Sequence, residues 1–416
     1  MTNLHFPLHS LREGHWFKLI CGASFQHLPA VRNLTLAYTL AGADCIDVAA
    51  DPAAIAAATE ALQVAGTLAS EAQRRGFGCK GLPLLMISLN DGEDPHFRKA
   101  EFNPNLCPAD CPRPCQRVCP ANAIAHPLPG NNSGVIDSRC YGCGRCIPVC
   151  PYEYIYTRSY VYSPEAIVTQ VLPAGIDAVE IHTQVGRLGD FERLWRAIAP
   201  NIDRLKLIAV SCGDGDGLIE YLRSLYALME PLPIPLVWQT DGRPMSGDIG
   251  AGTTHAAIKL GQKVLSAGLP GYVQLAGGTN SHTVIKLKRL GLLNPSLGHG
   301  SLVIGHGGED KNRSECGDTA FGANEPSPIP HARSHLPHAH IAGVAYGSYA
   351  RVLLSPVLDL LEKTDMNDDA STPPGSQNSL ALRLEDQSDL LWQAVAMAHS
   401  LVSQLKITPV SSNVPS

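Results

Sequence analysis

Residues 17–49 read FKLICGASFQHLPAVRNLTLAYTLAGADCIDVA. Phe17–Cys21 is a short apolar run of the kind that forms a buried strand. Pro29–Leu40 opens on a proline, tolerated in a first helical turn, and continues as a helix. Ala43–Ala49 is a second strand. The same unit recurs outward from here. The Ala-rich Pro52–Ser70 is a helix, and Leu82–Leu89 a third strand closed by the turn signal Asn90-Asp91-Gly92. Much further on, Ser163-Pro164-Glu165 caps a helix running to about Leu172. Strands follow at Ala178–His182, Leu205–Val210, Ile234–Gln239, Gly271–Leu275 and Ile341–Tyr346. Their helices are Phe191–Ala199, Leu218–Met229, Ala256–Ala267, Thr283–Leu290 and Tyr349–Leu361. Strands apolar on both faces belong to a parallel sheet covered by helices. Eight such units predict a closed TIM-like (β/α)8 barrel, with an open doubly wound sheet as the competing arrangement.

The barrel is expected over 1–90 and 163–363, discontinuous in sequence. A cysteine-rich insertion, 91–162, follows the third strand. A Gly/His/Pro-rich loop, 294–340, precedes the eighth. Residues 364–416 read as a polar linker, a C-terminal helix over Asp386–Leu405 and a disordered tail from about Pro409. Leu391, Val395, Ala398, Val402 and Leu405 fall on one face of that helix, which is expected to pack on the barrel.

The chain of 416 residues is 44% hydrophobic and 17% charged, ordinary for a globular protein. A net charge of -6 and the lack of a basic stretch argue against nucleic-acid binding. Met1–Leu11 carries no secretory signal, and no stretch reaches the roughly 20 apolar residues of a transmembrane segment. A cytoplasmic location follows as an expectation. There thiols stay reduced, so thirteen cysteines suggest metal binding before disulfides.

Cys140, Cys143, Cys146 and Cys150, followed by Pro151, form C-x2-C-x2-C-x3-C-P, the bacterial ferredoxin signature. Three thiolates of the tight loop hold one cluster, and the fourth reaches a second. Cys107, Cys111, Cys115 and Cys119, followed by Pro120, form a loosened partner run, C-x3-C-x3-C-x3-C-P. Cross-ligation assigns Cys107, Cys111, Cys115 and Cys150 to one four-iron–four-sulfur cluster. Cys140, Cys143, Cys146 and Cys119 go to the other. Between the runs, Ala121–Ala125 suits a short helix and Gly134-Val135-Ile136 a strand. Structural zinc on four cysteines is the competing reading, but zinc sites favour paired C-x2-C motifs across a longer gap. A three-iron cluster in the loosened run, or none, also stays open. Of the other cysteines, Cys21 and Cys45 lie on strands as apolar fillers. Cys79 and Cys316 carry no assignment, and Cys212 is expected to face the barrel mouth.

An insertion after the third strand belongs to the carboxyl-end face, where barrels of this kind carry their sites. Gly277 and Gly278 after the seventh strand, with Gly347 and Ser348 after the eighth, make a candidate anion or ligand site. A mouth plugged by its own side chains is the plainer alternative. His299, His306, His331, His335, His338 and His340 suggest a mobile loop more than a metal site, because their spacing is irregular.

With both cysteine runs inside this frame, the chain resembles the cyanobacterial light-dependent-period (LdpA) family. The resemblance rests on Trp16-Phe17-Lys18-Leu19-Ile20-Cys21-Gly22-Ala23-Ser24, on the two cysteine runs, and on Ala342-Gly343-Val344-Ala345-Tyr346-Gly347-Ser348-Tyr349-Ala350-Arg351. It implies two four-iron clusters and a role in reporting cellular redox state to the circadian clock. It implies as partners a clock-input histidine kinase and clock proteins; the electron donor is unknown. Two functions compete. One is a non-enzymatic redox sensor read by a protein partner, the reading that the resemblance prefers. The other is an oxidoreductase passing electrons between its clusters and a flavin or small substrate in the mouth. Gly175–His182 resembles the fourth-strand region of flavin barrels, and Lys206 is a candidate to face a flavin ring. Flavin has no other support in the sequence.

Overall fold

The computed structural model describes residues 6–92, 97–126, 134–159, 163, 166–243, 250, 252–294, 340–369 and 383–406. Eight parallel strands close a barrel. They are β1 (Trp16–Ile20), β2 (Cys45–Ala49), β3 (Leu84–Asn90) and β4 (Ala178–Thr183), then β5 (Leu207–Gly213), β6 (Leu236–Asp241), β7 (Tyr272–Ala276) and β8 (Gly343–Tyr346). Each neighbours its sequence successor, and β8 returns to β1 with Trp16 opposite Gly343. A side chain on Gly343 would strike the Trp16 carbonyl at 2.2 Å, so this closure requires glycine.

Local chemistry explains the helices. Asp51 accepts hydrogen bonds from the amides of Ala53 and Ala54 at 3.0 Å, and Pro52 takes the first helical position, starting Pro52–Arg74. Leu28–Ala41 ends at Gly42, whose φ of 99° suits glycine. Of the helix expected from Ser163 to about Leu172, residues 164 and 165 lie outside the described residues. The Ala166 amide donates to Ser163 Oγ at 3.2 Å, but the helical stretch, Ile167–Val171, has π-type bonding and gives way to a 3-10 turn, Leu172–Ala174.

Alternation along the strands splits the residues between two cores. Outward residues such as Val48, Ile87, Val210 and Leu275 pack beneath the helices. Inward residues at the amino end, among them Cys45, Met86, Leu207 and Val237, form a separate apolar plug. Helix Phe6–Glu13, which the sequence did not signal, closes this end with Leu11. The C-terminal helix, Ser388–Val402, packs against Leu28–Ala41 and carries Leu391, Val395, Ala398 and Val402 into the outer core. Arg32 bonds Glu385 at its start, and Trp392 stacks on Phe77 at 5.9 Å.

Three expectations change. Lys206 pairs with Asp177 at 2.5 Å, and both residues precede their strands, so Lys206 sits at the amino end, opposite the mouth. Cys212 lies on β5 but faces the helix layer, because outward and inward positions alternate. Within the insertion, 121–125 is not helical: Ile124–Ala125 pairs antiparallel with Gly134–Val135. A second ribbon, Arg98–Glu101 with Tyr156–Ser159, closes the insertion's base. Of the histidines at 294–340, all but His340 lie outside the described residues, as does Cys316.

Candidate iron–sulfur sites and the barrel mouth

The eight thiols sort into two sets. Burial raises the Cys107 thiol, whose neighbours include the Cys111 and Cys150 thiols and the Arg113 guanidinium. Burial also raises Cys115, whose thiol neighbours are Cys150 and Cys107. Burial pushes Cys146 up to about 12, with Cys143, Cys140 and Cys119 adding to the effect. Cys143 and Cys140 are raised by burial too, and Cys119 acts on both. Each coupling stays within one set. Cys119, the last cysteine of the first run, thus lies with the first three of the second.

Local structure sets this crossing. A short helix, Pro114–Val118, turns the first run and delivers Cys119 beyond it. Cys119, Cys140, Cys143 and Cys146 together line a cavity of about 350 Å³ counted to its opening. Two amides donate to sulfur there, Ala100 N to Cys140 at 3.4 Å and Ala123 N to Cys119 at 3.2 Å. Phe102, Ile124 and Ile155 pack among the cysteines and hold water away. Four thiols around an apolar cavity with amide donors match the needs of an iron–sulfur cluster.

Several contacts dock the insertion over the mouth. Lys99 is 3% exposed and donates to Gln26 Oε1, the Asp137 carbonyl and Asp137 Oδ2 at 2.8, 2.8 and 2.9 Å. Tyr141 lies under the Arg351 guanidinium at 4.1 Å and meets Phe25 edge-on at 5.6 Å. Arg351 in turn donates to the carbonyls of Ile20 and Cys21 at 2.8 and 3.1 Å. These contacts put Tyr141, Gly142 and Cys143 in the wall of a cleft of about 800 Å³, counted to open solvent, at the barrel mouth.

Gly277, Gly278, Gly347 and Ser348 line the same cleft. Gly277 and Gly278 have φ of 62° and 99°, and side chains there would meet Arg243 N at 2.8 Å and Thr253 O at 2.8 Å. Their absence of a side chain lets the loops after β6 and β7 close together.

Beneath the cleft lies a charged layer that the sequence reading missed. Lys18 on β1 is 1% exposed. Its Nζ donates to Glu180 on β4, lies 3.0 Å from Asp47 on β2, and donates to Gln239 Oε1 at 3.1 Å. Gln239 Nε2 donates to Glu180 Oε1 at 2.7 Å, and His182 Nε2 lies 2.9 Å from the same oxygen. Ser88 donates to Asp47 at 2.9 Å, and Ser211 to Asp241. Burial would raise Glu180, but Lys18 and His182 together hold the carboxyl at about 2. Burial raises Asp47 to about 6 against the pull of Lys18. Burial would lower Lys18, yet Asp47 and Glu180 together keep it above its usual value. A lone charged residue inside the otherwise apolar first and second strands, Lys18 and Asp47, was the available signal.

A closed (β/α)8 barrel with a cysteine-lined insertion over its carboxyl end defines an iron–sulfur barrel protein. Residues 107–161 match the family described as the LdpA Fe-S cluster-binding domain, and 170–404 the Light dependent period A C-terminal domain. Light dependent period A of Synechococcus elongatus is 52% identical over 303 residues, 73% of this chain and 82% of the relative. The chain belongs to the light dependent period A family, and it is an iron–sulfur protein. Apo homocysteine methyltransferase MmuM from Escherichia coli aligns with a TM-score of 0.27 at 13% identity, over 62% of this chain and 91% of that one. No argument rests on so low a score.

Proposed function

We propose that this protein holds two four-iron–four-sulfur clusters and relays cellular redox state to the circadian clock input pathway. Cys107, Cys111, Cys115 and Cys150 would hold one cluster, and Cys119, Cys140, Cys143 and Cys146 the other. The observation that carries the reading is the apolar cavity that Cys119, Cys140, Cys143 and Cys146 line together. A bound cluster supplies a reversible one-electron change at a potential set by hydrogen bonds and exposure. The chain's part is to release four thiol protons per site on loading, to aim the Ala100 and Ala123 amides at sulfur, and to exclude water with Phe102, Ile124 and Ile155. The role in the clock rests on the relative's name, which ties it to a light-dependent period. A clock-input histidine kinase and clock proteins in the cytoplasm are the partners this reading expects.

Protein purified without oxygen should carry about eight irons and eight sulfides per chain. Fewer than about six irons after such handling would contradict two intact clusters. In cells, Cys146→Ser should abolish the dependence of circadian period on light intensity. A period that still tracks light in that strain would overturn the sensing role.

The charged floor under the mouth favours a second reading, an iron–sulfur oxidoreductase acting on a small substrate there. Flavin released stoichiometrically by acid from the purified protein would support it over a sensor without ligand.

A further inference from the structure

The chain carries 38 acidic residues among 416, yet none falls between Asp248 and Glu309. Lys259, Lys263, Lys286, Lys288 and Arg289 all lie in that interval, although the protein as a whole has a net charge of -6. Two barrel helices carry these residues, Thr254–Ser266 after β6 and Thr283–Arg289 after β7. Lys286 Nζ donates to Thr254 Oγ1 at 2.6 Å and ties the second helix to the start of the first. The two sit side by side, and their outward faces form one surface.

Helical spacing decides what that surface shows. Ile258, Leu260 and Val264 of the first helix, with Val284 and Leu287 of the second, turn toward the barrel. His255, Lys259 and Lys263 run along the exposed face of the first. His282, Ile285, Lys288 and Arg289 are exposed on the second, and Leu290 follows at its end. Ile285 and Leu290 are 46% and 55% exposed. Lys263 pairs with Asp214 of the loop after β5 at 2.6 Å, and Lys288 donates to the Gln404 carbonyl at 3.1 Å. The face is thus cationic with aliphatic side chains set into it.

A cationic face fits an acidic protein, a nucleic acid or an anionic bilayer, and composition separates them. Protein interfaces favour Tyr, Trp and Arg and are depleted in Lys. This face is rich in lysine, and the aromatic residue of 252–294, Tyr272, is buried. Nucleic acid is held by phosphate contacts and by stacking on aromatic rings, which give Ile285 and Leu290 nothing to bury against. An anionic bilayer uses both features: lysines meet headgroups while aliphatic side chains enter the acyl boundary. We infer that this face docks the protein on an anionic lipid surface. Lys259, Lys263, Lys288 and Arg289 meet the headgroups, and Ile285 and Leu290 enter the layer beneath. No helix among the described residues is long and apolar enough to cross a membrane, so the contact is peripheral. The cysteine insertion follows β3, which stands opposite β7 in the ring of eight strands. Docking here does not depend on the clusters.

The test sediments full-length protein, purified without oxygen, with vesicles of phosphatidylcholine alone and with vesicles containing about one third phosphatidylglycerol. The protein should pellet with the anionic vesicles only. At ~1 M salt, where the screening length falls to about 3 Å, most of it should be released. A basic residue near a charged bilayer is worth about fivefold, so Lys259→Gln with Arg289→Gln should weaken binding roughly 25-fold. Leu290→Ser should weaken it about 10-fold. Arg196→Gln with Arg223→Gln removes the same charge from exposed sites on the helices after β4 and β5 and should change nothing. The inference is overturned if anionic vesicles fail to carry the protein down at low salt, or if the Arg196 and Arg223 pair matters as much as the Lys259 and Arg289 pair. It is equally overturned if a mixed-sequence DNA duplex or polyglutamate binds as tightly as the vesicles. Binding indifferent to Leu290→Ser contradicts insertion of the aliphatic side chains. Circular dichroism and iron content are read in the same samples, so loss of fold or of clusters is separable from loss of docking.

Discussion

The two sets of thiols offer the same ligand chemistry in different surroundings. Cys140 and Cys146 are buried, and Cys143 looks into the barrel cleft. Cys107 and Cys111 are half-buried, with exposed Leu106 and Tyr152 nearby. The inner set leans on the barrel through Lys99, Tyr141 and Arg351, and among the described residues these contacts do not involve the outer set. The loosened spacing thus belongs to the run whose first cysteines face solvent, and the tight signature to the run packed against the barrel. Exposure and hydrogen bonding set cluster potentials, so two unequal sites are expected to have unequal potentials.

The comparison can be stressed in three steps of falling size. Lys18→Met removes the cation between Asp47 and Glu180 and strands two buried carboxylates. It should cost about 3–5 kcal/mol in denaturant melts, while iron bound in the folded fraction stays at the wild-type level on both sides. Iron lost from the inner set would mean that floor and cluster are one unit. Lys99→Met leaves the Gln26 and Asp137 acceptors without their buried donor. It should cost about 1–3 kcal/mol and broaden the spectrum of the inner site only. An equal change at the outer site would erase the distinction drawn here.

The smallest effect is one of pH. Asp47 holds its proton to about 6, above the ordinary 3.8, because burial disfavours its charge. The native state then binds more protons than the unfolded chain in that window, so stability falls as pH rises from 3.8 to about 6. Glu180 acts oppositely: lowered from 4.5 to about 2, it contributes stability above 4.5 that is lost as pH falls toward 2. Asp47→Asn should flatten the decline between about pH 4 and pH 6 in stability measured against wild type. An unchanged slope would place the proton elsewhere.

Much of this architecture was legible in the sequence, for identifiable reasons. Parallel barrel strands are apolar on both faces, so runs such as Phe17–Cys21 and Ala43–Ala49 stand out singly. Ser211 and Asp241, which fall just past the strands expected at Leu205–Val210 and Ile234–Gln239, instead complete those strands and point inward. The charged layer was hidden because it is a matter of register. Lys18, Asp47, Glu180 and Gln239 come from four strands, and nothing local says that they share one level. Lys206 stood out where Lys18 did not, since a lysine near a strand gives no sign of which end of the barrel it occupies. The cysteine sets were readable because their chemistry is written in short spacings within one loop.

The central claim is the crossing of the two cysteine runs, and single serine substitutions test it most directly. Iron content and cluster spectra of Cys150→Ser and Cys119→Ser should be measured side by side in protein purified without oxygen. Cys150→Ser should damage the site of Cys107, Cys111 and Cys115 and leave the inner spectrum intact, and Cys119→Ser should do the reverse. Loss confined in each case to the run that contains the substituted cysteine would contradict the account.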